Sequence, residues 1–400
     1  MTQPKPHLAI LGAGPTGLEA ALAAAEAGFP FTLYEAAPEV AGHVRAWGHM
    51  RLFTPWDLNV SPRMRRSLRS AGSEVPEGPD CTTGQELADR LFAPLAALPT
   101  VAPHLKLGTR VLAVGREGLL KHEEIATPER GRRPFRLLLS DASGREWTER
   151  ADLVLDTTGT YGHPNSLGDG GIPAPGEREL GEAIRRQVPD FAREAADWAG
   201  KTILLAGAGH SAQTAARELA ELARQAPGTR VLWVLRSPAP TWGAQPNDPL
   251  PERARLTTTA VELATGASPA VEAHRGVSVE ALQKKNGGAE VVLQNGGEPR
   301  TVTVDRVLSL TGYVGDANLY RQLQVHECYA TCGPINLSAA LLGAGAGDCL
   351  AQTTHGAETL KNPEPGFFIL GSKSYGRNNT FLMRVGWQQV EEVFGLMGGG

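Results

Sequence analysis

Glycines at 12, 14 and 17, within Leu8-Ala-Ile-Leu-Gly-Ala-Gly-Pro-Thr-Gly-Leu-Glu-Ala-Ala21, have the spacing that holds the pyrophosphate of a dinucleotide. Gly12 allows a sharp turn, Gly14 lets a phosphate approach the backbone, and Gly17 lets the helix pack closely on the strand; Pro15 and Thr16 open that helix. The stretch Phe29 to Tyr34 reads as a second strand, and Glu35 ends it about twenty residues after the glycines, where a carboxylate can bind ribose hydroxyls. The same arrangement returns in Thr202-Ile-Leu-Leu-Ala-Gly-Ala-Gly-His-Ser-Ala212. Gly207 and Gly209 repeat the first two glycines, Ala212 takes the third place, and His210 and Ser211 lie in the turn. Here the following strand, Val231 to Leu235, ends in Arg236, whose guanidinium suits a 2′-phosphate; a solvated arginine stacking on adenine is the alternative.

The elements that must position these residues also repeat. Between the two turns the sequence predicts short alternating strands at Arg110 to Val114, at Phe135 to Ser140 before a DASG turn, and from Trp147. Ala151 to Asp156 returns to the sheet and runs into Thr157-Thr158-Gly159. After the second turn a meander with glycine turns at Asn286 and Asn295 leads through Val304 to Leu310 into Thr311-Gly312. Internal similarity over more than a hundred residues is a stronger signal than either motif. The expected fold is α/β, a Rossmann-type three-layer architecture with two dinucleotide-binding domains. Residues 1–165 and 318–400 are expected to form one, and residues 166–317 an inserted second.

Other segments read less regularly. From Ala36 to Met64 the chain looks like an irregular loop, either functional or a surface cover packed by Trp47, Phe53 and Trp56. Thr83-Gly-Gln-Glu86 has capping-box spacing before a helix expected to run through Leu87, Leu91 and Leu95. A Pro/Gly-rich connector, 163–176, precedes a polar helical stretch. The 400 residues are 41% apolar and 20% charged, with 39 basic against 43 acidic side chains, so composition argues neither for nucleic acid nor for a membrane. No leader pattern is recognisable and no apolar run approaches about 18 residues, which points to a soluble, cytoplasmic protein. No metal-ligand cluster, Walker loop or Ser-His-Asp set is evident.

The order of glycine turn, TG strand, glycine turn, TG strand and C-terminal return resembles the two-dinucleotide-binding flavoproteins, and within them the flavin-containing monooxygenase and Baeyer–Villiger type. The resemblance implies FAD held by the first and last segments and NADPH, with NADH as the alternative, by the middle domain. Gly366-Phe-Phe-Ile-Leu-Gly371-Ser372 is similar to the late strand that such proteins place against FAD, with Ser372 where an aspartate is usual. Thr380 and Phe381 begin a segment resembling the closing helix that points its N-terminus at the flavin. Gly42-His43-Val44 sits where the family carries Gly-Gly-x-Trp, Ala41 replacing one glycine. Asn59-Val-Ser61 is similar to an Asn-x-Ser segment whose asparagine contacts flavin and nicotinamide; a turn asparagine before Pro62 is the alternative. The monooxygenase fingerprint is absent where it should fall, at Leu180 to Gln187.

The expected function is an FAD-dependent NAD(P)H oxidoreductase, a monooxygenase that forms a flavin hydroperoxide and oxygenates a small substrate with O2. Asn59 and Arg377 are the catalytic candidates, Arg377 lying in a polar patch from Lys373 to Asn379. His163, His210 and His355 are candidates for cofactor contact or, as the plainer reading, structural histidines. The alternatives are a reductase that passes electrons on without inserting oxygen, and a non-catalytic flavin-binding protein. The cysteines weigh against a disulfide reductase, because neither Glu35 to Asp80 nor Thr202 to Gly312 contains one. Cys328 and Cys332 have the wrong spacing for its redox pair and read as ordinary thiols, as do Cys81 and Cys349. Assembly as a homodimer stays open.

Overall fold

The computed structural model describes residues 4–245, 247–285, 287–343, 350 and 354–398. The chain divides into two units, Met1–His163 with Val314–Gly400, and Pro164–Tyr313.

In the first unit, five parallel strands lie in the order Phe367–Ile369, Leu153–Asp156, Leu8–Leu11, Phe31–Tyr34 and Leu105–Lys106. Alternate side chains of the central strand face opposite ways, as a strand of period two requires. Leu8 and Ile10 join the core formed with the helices Pro15–Glu26 and Met383–Gly398. Ala9 and Leu11 join the core shared with the antiparallel meander Thr109–Arg116, Phe135–Asp141 and Glu146–Ala151. Helices, sheet and meander make the three layers.

The second unit repeats the plan. Its parallel sheet runs Ile184–Arg185, Arg306–Ser309, Thr202–Ala206, Arg230–Leu235 and Val271–Arg275. A meander of Ser278–Lys285, Gly288–Gln294 and Arg300–Val304 packs on one face through Val279, Val291 and Val304. The expected turn residue Asn286 lies outside the described residues.

Four expectations change. The segment after Glu35 is ordered into helices Gly42–Ala46, Trp56–Asn59 and Pro62–Ser70 and a ribbon pairing Arg51–Pro55 with Cys81–Thr83. Ser61 caps the third helix, accepting from Met64 N at 2.9 Å, and Pro62 fills the first turn, where no N–H is needed. The helix after Thr83 starts with the expected capping box but widens into a π-helix over Ala88–Phe92 before Ala93–Ala96. Pro94 has no N–H for an i−4 bond, and Ala93 N–H reaches back five residues to Ala88 O instead. The stretch expected to be a polar helix after 176 is broken into the four-residue helices Glu177–Leu180 and Ala195–Trp198, the 3-10 turn Gly181–Ala183 and the edge strand Ile184–Arg185. The closing helix begins at Met383, not Thr380, whose backbone N–H and hydroxyl both bind Asn378 Oδ1. The helix Pro251–Ala264 and strand Val271–Arg275 have no counterpart in the sequence reading.

Candidate functional sites at the two glycine turns

The first turn is built by close approach. Gly12 has φ +96°, and a Cβ at Gly17 would stand 1.8 Å from Gly12 O, so this helix reaches its strand only with glycine in that place. Thr157 fixes the turn from the neighbouring strand, donating to Leu11 O and Gly12 O at 2.8 and 2.9 Å. A Cβ at Gly14 would meet nothing within 4 Å. Gly14 is also the N-cap of helix Pro15–Glu26, and no side chain caps it. An open approach to uncapped N–H groups at a helix N-terminus fits a pyrophosphate.

Glu35 is held beside this turn. Its Oε2 accepts from Ala13 N and its Oε1 from Ala37 N, each at 2.9 Å. A carboxylate has about four lone-pair sites, so two remain for ribose hydroxyls. Gly42 packs at the same place, where a Cβ would collide with Ala37 Cβ at 2.5 Å and lie 3.6 Å from Glu35 Oε1. Ala41 has φ +59°, a left-handed conformation that favours glycine. Burial holds the His43 imidazole below its ordinary value, with the Glu35 carboxylate opposing that shift. Its ring lies 6.1 Å from that of Tyr161, and Trp47 lies 6.4 Å from Tyr161.

The C-terminal segment meets the turn from the other side. A Cβ at Gly371 or at Gly386 would each stand 2.8 Å from Thr16 Oγ1, and one at Gly386 would stand 3.0 Å from Phe381 Cζ. Ser372 Oγ lies 3.6 Å from the Cβ position of Gly159. Thus Thr16, Gly371, Phe381, Gly159 and Ser372 come together. Asn59 and Arg377 share no hydrogen bond with them among the described residues. Asn59 is buried and turned to Thr54, accepting from its Oγ1 at 2.8 Å and donating to its carbonyl at 2.9 Å. Arg377 donates through Nε to Cys332 Sγ at 3.3 Å.

One buried ion pair escaped the sequence reading, which placed Lys373 only in a polar patch and Asp156 only at a strand end. Lys373 Nζ lies 2.6 Å from Asp156 Oδ2 and 3.2 Å from Thr158 Oγ1, while Thr158 N and Oγ1 donate to Asp156 Oδ1 at 3.1 and 2.6 Å. Both side chains of the ion pair are sealed, at 2% and 0% exposure. The signal available was Asp156 itself, an acid closing an otherwise apolar strand. Gln389 was also missed. From the closing helix it accepts from Gly371 N at 2.8 Å and donates to Ser374 Oγ at 2.9 Å.

At the second turn the tight contact moves. Gly207 has φ +123°, and a Cβ there would stand 2.2 Å from Leu310 O and 3.5 Å from Ala212 Cβ. The third position therefore tolerates a methyl. Gly209 is the uncapped N-cap of helix His210–Gln225, again with open space at its Cβ position. His210 and Ser211 open that helix. Burial, then the nearby Arg253, hold His210 below its ordinary value, with Asp248 opposing. Arg253 is itself buried against Asp248 at 2.7 Å. Gln213 donates to Ala208 O and Trp242 O, tying the turn to the loop after Arg236. Arg236 is exposed. Gly312 has φ +86° beside Asn165, whose Nδ2 donates to Thr311 O at 3.1 Å.

Of the histidines, His163 pairs with Asp316 at 3.3 Å, and His355 Nε2 is buried without a hydrogen-bond partner among the described residues. Among those residues no helix is long and apolar enough to cross a membrane.

Residues 10–64 match the model of an NAD(P)-binding Rossmann-like domain. No curated protein sequence matches the chain. Solved structures do. Bacillithiol disulfide reductase from Bacillus cereus superposes with a TM-score of 0.71 at 16% identity, over 99% of both chains. The FAD-bound cadaverine monooxygenase DfoA from Erwinia amylovora gives 0.63 at 14%, over 98% of this chain and 94% of that one. Ornithine hydroxylase from Pseudomonas aeruginosa gives 0.61 at 17%, over 98% of both. At these identities the likeness is one of fold: the chain has the architecture that these flavoprotein reductases and hydroxylases share.

Proposed function

We propose that the protein is an FAD-dependent NAD(P)H oxidoreductase that oxygenates a small substrate. The observation that carries this reading is the pair of uncapped helix N-termini, each behind a glycine with open space at its Cβ position, with Glu35 beside the first and Arg236 directly after the corresponding strand, Arg230–Leu235, of the second. Two such sites call for a resident dinucleotide and a visiting one.

The first unit would hold FAD. The turn Gly12–Gly17 receives its pyrophosphate, Glu35 takes ribose hydroxyls, and Gly42, His43, Thr158, Gly159, Gly371, Ser372, Thr380 and Phe381 surround it. The second unit would bind NADPH through Gly207, Gly209, His210, Ser211 and Gly312, with Arg236 meeting the 2′-phosphate. When bound, FAD supplies hydride acceptance from the nicotinamide and electron transfer to oxygen. The chain's own residues orient it. Asn59 acts through Thr54, fixing strand Arg51–Pro55 to the following helix, and Gln389 holds the Gly371 amide. The hydroxylases of similar fold act, by their names, on cadaverine and ornithine, so small amines are the first substrates to offer.

The missing fingerprint favours a second reading, a reductase that passes electrons to another acceptor. Residues 180–187, where the fingerprint would fall, hold the end of helix Glu177–Leu180, the 3-10 helix Gly181–Ala183 and the edge strand Ile184–Arg185. Anaerobic titration of the flavin-loaded protein with NADPH tests both. Bleaching of the flavin band establishes the oxidoreductase, and its failure removes both readings. On admitting oxygen with an amine present, hydroxylated product supports oxygenation, whereas quantitative hydrogen peroxide without product supports the reductase.

A further inference from the structure

Two thiols share one five-residue turn, Cys328-Tyr-Ala-Thr-Cys332, on the first unit. Cys332 N donates to Cys328 O at 2.8 Å and Cys328 N to Gly333 O at 2.8 Å, so the turn is closed at its neck. A turn closed by an i to i+4 backbone bond brings its end residues into the span that a disulfide bridges. Both cysteines are free thiols.

The two sulfurs have different surroundings. Cys328 is buried, and the backbone N–H and hydroxyl of Thr331, then the Ala330 N–H, hold its thiol below the ordinary value. Cys332 is half-buried, and Arg377 Nε donates to its sulfur at 3.3 Å. An electropositive, partly exposed sulfur next to a second thiol is the setting of oxidisable cysteines. Tyr329, between them, is 99% exposed, so solvent reaches the turn. Cys332 has φ +61°, a conformation in which a cysteine is strained, so the turn holds it there against its own preference. The turn also braces the segment carrying Arg377. Arg377 N donates to Thr331 O at 2.6 Å, and a Cβ at Gly376 would stand 2.1 Å from that same oxygen.

We propose that Cys328 and Cys332 form an oxidisable dithiol for peroxides, with Cys332 the attacking and Cys328 the resolving sulfur. The Cys332 sulfur displaces one oxygen of hydrogen peroxide, the O–O bond breaks, and the departing oxygen leaves as water after taking a proton. Cys332 becomes a sulfenic acid. The Cys328 sulfur then attacks it, the S–S bond forms and a second water leaves. Two thiols and one peroxide thus give one disulfide and two waters. Disulfide formation removes the Arg377 guanidinium from its sulfur partner, changing the segment after strand Phe367–Ile369.

Hydrogen peroxide, added to the full-length protein before alkylation and peptide mass analysis, tests this. The expected product is a 328–332 peptide lighter by two hydrogen atoms, with Cys81 and Cys349 still alkylated. Cys328→Ser should stop the reaction at a sulfenic acid on Cys332 that dimedone traps. Arg377→Met should slow thiol loss about 3–10-fold. Pairing of either cysteine with Cys81 or Cys349, dimedone capture at Cys328 in the unsubstituted protein, or four thiols surviving millimolar peroxide would overturn the proposal.

Discussion

Asp156 ends the strand beside the first glycine turn, in register with Leu11, and Ser309 ends the strand beside the second, in register with Ala206. Both serve the same local purpose. Asp156 Oδ1 accepts from Thr158 Oγ1 at 2.6 Å, and Ser309 Oγ lies 3.3 Å from Thr311 Oγ1, so each fixes the threonine of its TG turn. The neutral hydroxyl needs no counter-charge, whereas the buried carboxylate needs a cation. Lys373 supplies it from a segment 217 residues away. The first turn is therefore tied by an ion pair to the C-terminal return of its own unit, and the second by neutral hydrogen bonds to the connector that opens its unit, where Asn165 O accepts from Thr311 Oγ1 at 3.0 Å and Asn165 Nδ2 donates to Thr311 O at 3.1 Å.

Removing that cation should be the largest single effect. Lys373→Met leaves Asp156 buried and unpaired, which costs about 3–5 kcal/mol. Urea unfolding of the flavin-free protein measures it. Adding Asp156→Ser, which installs the arrangement of the second unit, should recover most of the loss; a double variant as unstable as the single one would break the comparison.

Next come the third positions of the two motifs. Gly17→Ala forces a methyl to within 1.8 Å of Gly12 O, and overpacking of this kind costs about 1–3 kcal/mol or more, with loss of FAD retention. Ala212→Gly, the reciprocal change in the second unit, should cost only about 1 kcal/mol through helix propensity. Equal losses would show that the two helices approach their strands alike.

These contrasts separate what was legible in the sequence from what was not. The strand–glycine–helix units were legible because a positive φ at Gly12 and close approach at Gly17 are local demands that only certain residues meet. The meanders were legible from their two-residue periodicity and turn residues. The Asp156–Lys373 pair was not, because nothing local links positions so far apart. The strand Val271–Arg275 alternates poorly and takes its form from pairing with Arg230–Leu235. Asn59 carried a family resemblance, but which group its amide faces depended on Thr54 five residues earlier.

The residues after the second strands should differ in the same sense. Glu35 is already bonded to two backbone amides, so Glu35→Gln, which loses one acceptor, should lower stability by about 1–3 kcal/mol as well as weaken FAD binding. Arg236 is exposed, so Arg236→Leu should leave the melting temperature unchanged. It should also raise the NADPH concentration needed for half-maximal flavin reduction about 10–100-fold, with little change for NADH. An unchanged NADPH requirement would remove the 2′-phosphate role.

The smallest effect expected is an acid sensitivity set by the histidines of the two sites. His43 and His210 are both held below the ordinary value of 6.5, first by burial. The unfolded chain takes up a proton near pH 6.5 while the folded chain resists until lower pH, so below 6.5 the unfolded state binds more protons. Their contribution to stability is then full above pH 6.5 and declines as the pH falls toward the folded values. The leading charged neighbours differ: at His43 the Glu35 carboxylate opposes the shift, with Arg110 and His163 adding to it, while at His210 the Arg253 guanidinium adds to it, with Asp248 opposing. His210→Asn should therefore flatten the fall in melting temperature between about pH 6.5 and 5 more than His43→Asn does. The reverse order would mean that burial, rather than the charge placed beside each turn, sets the difference between them.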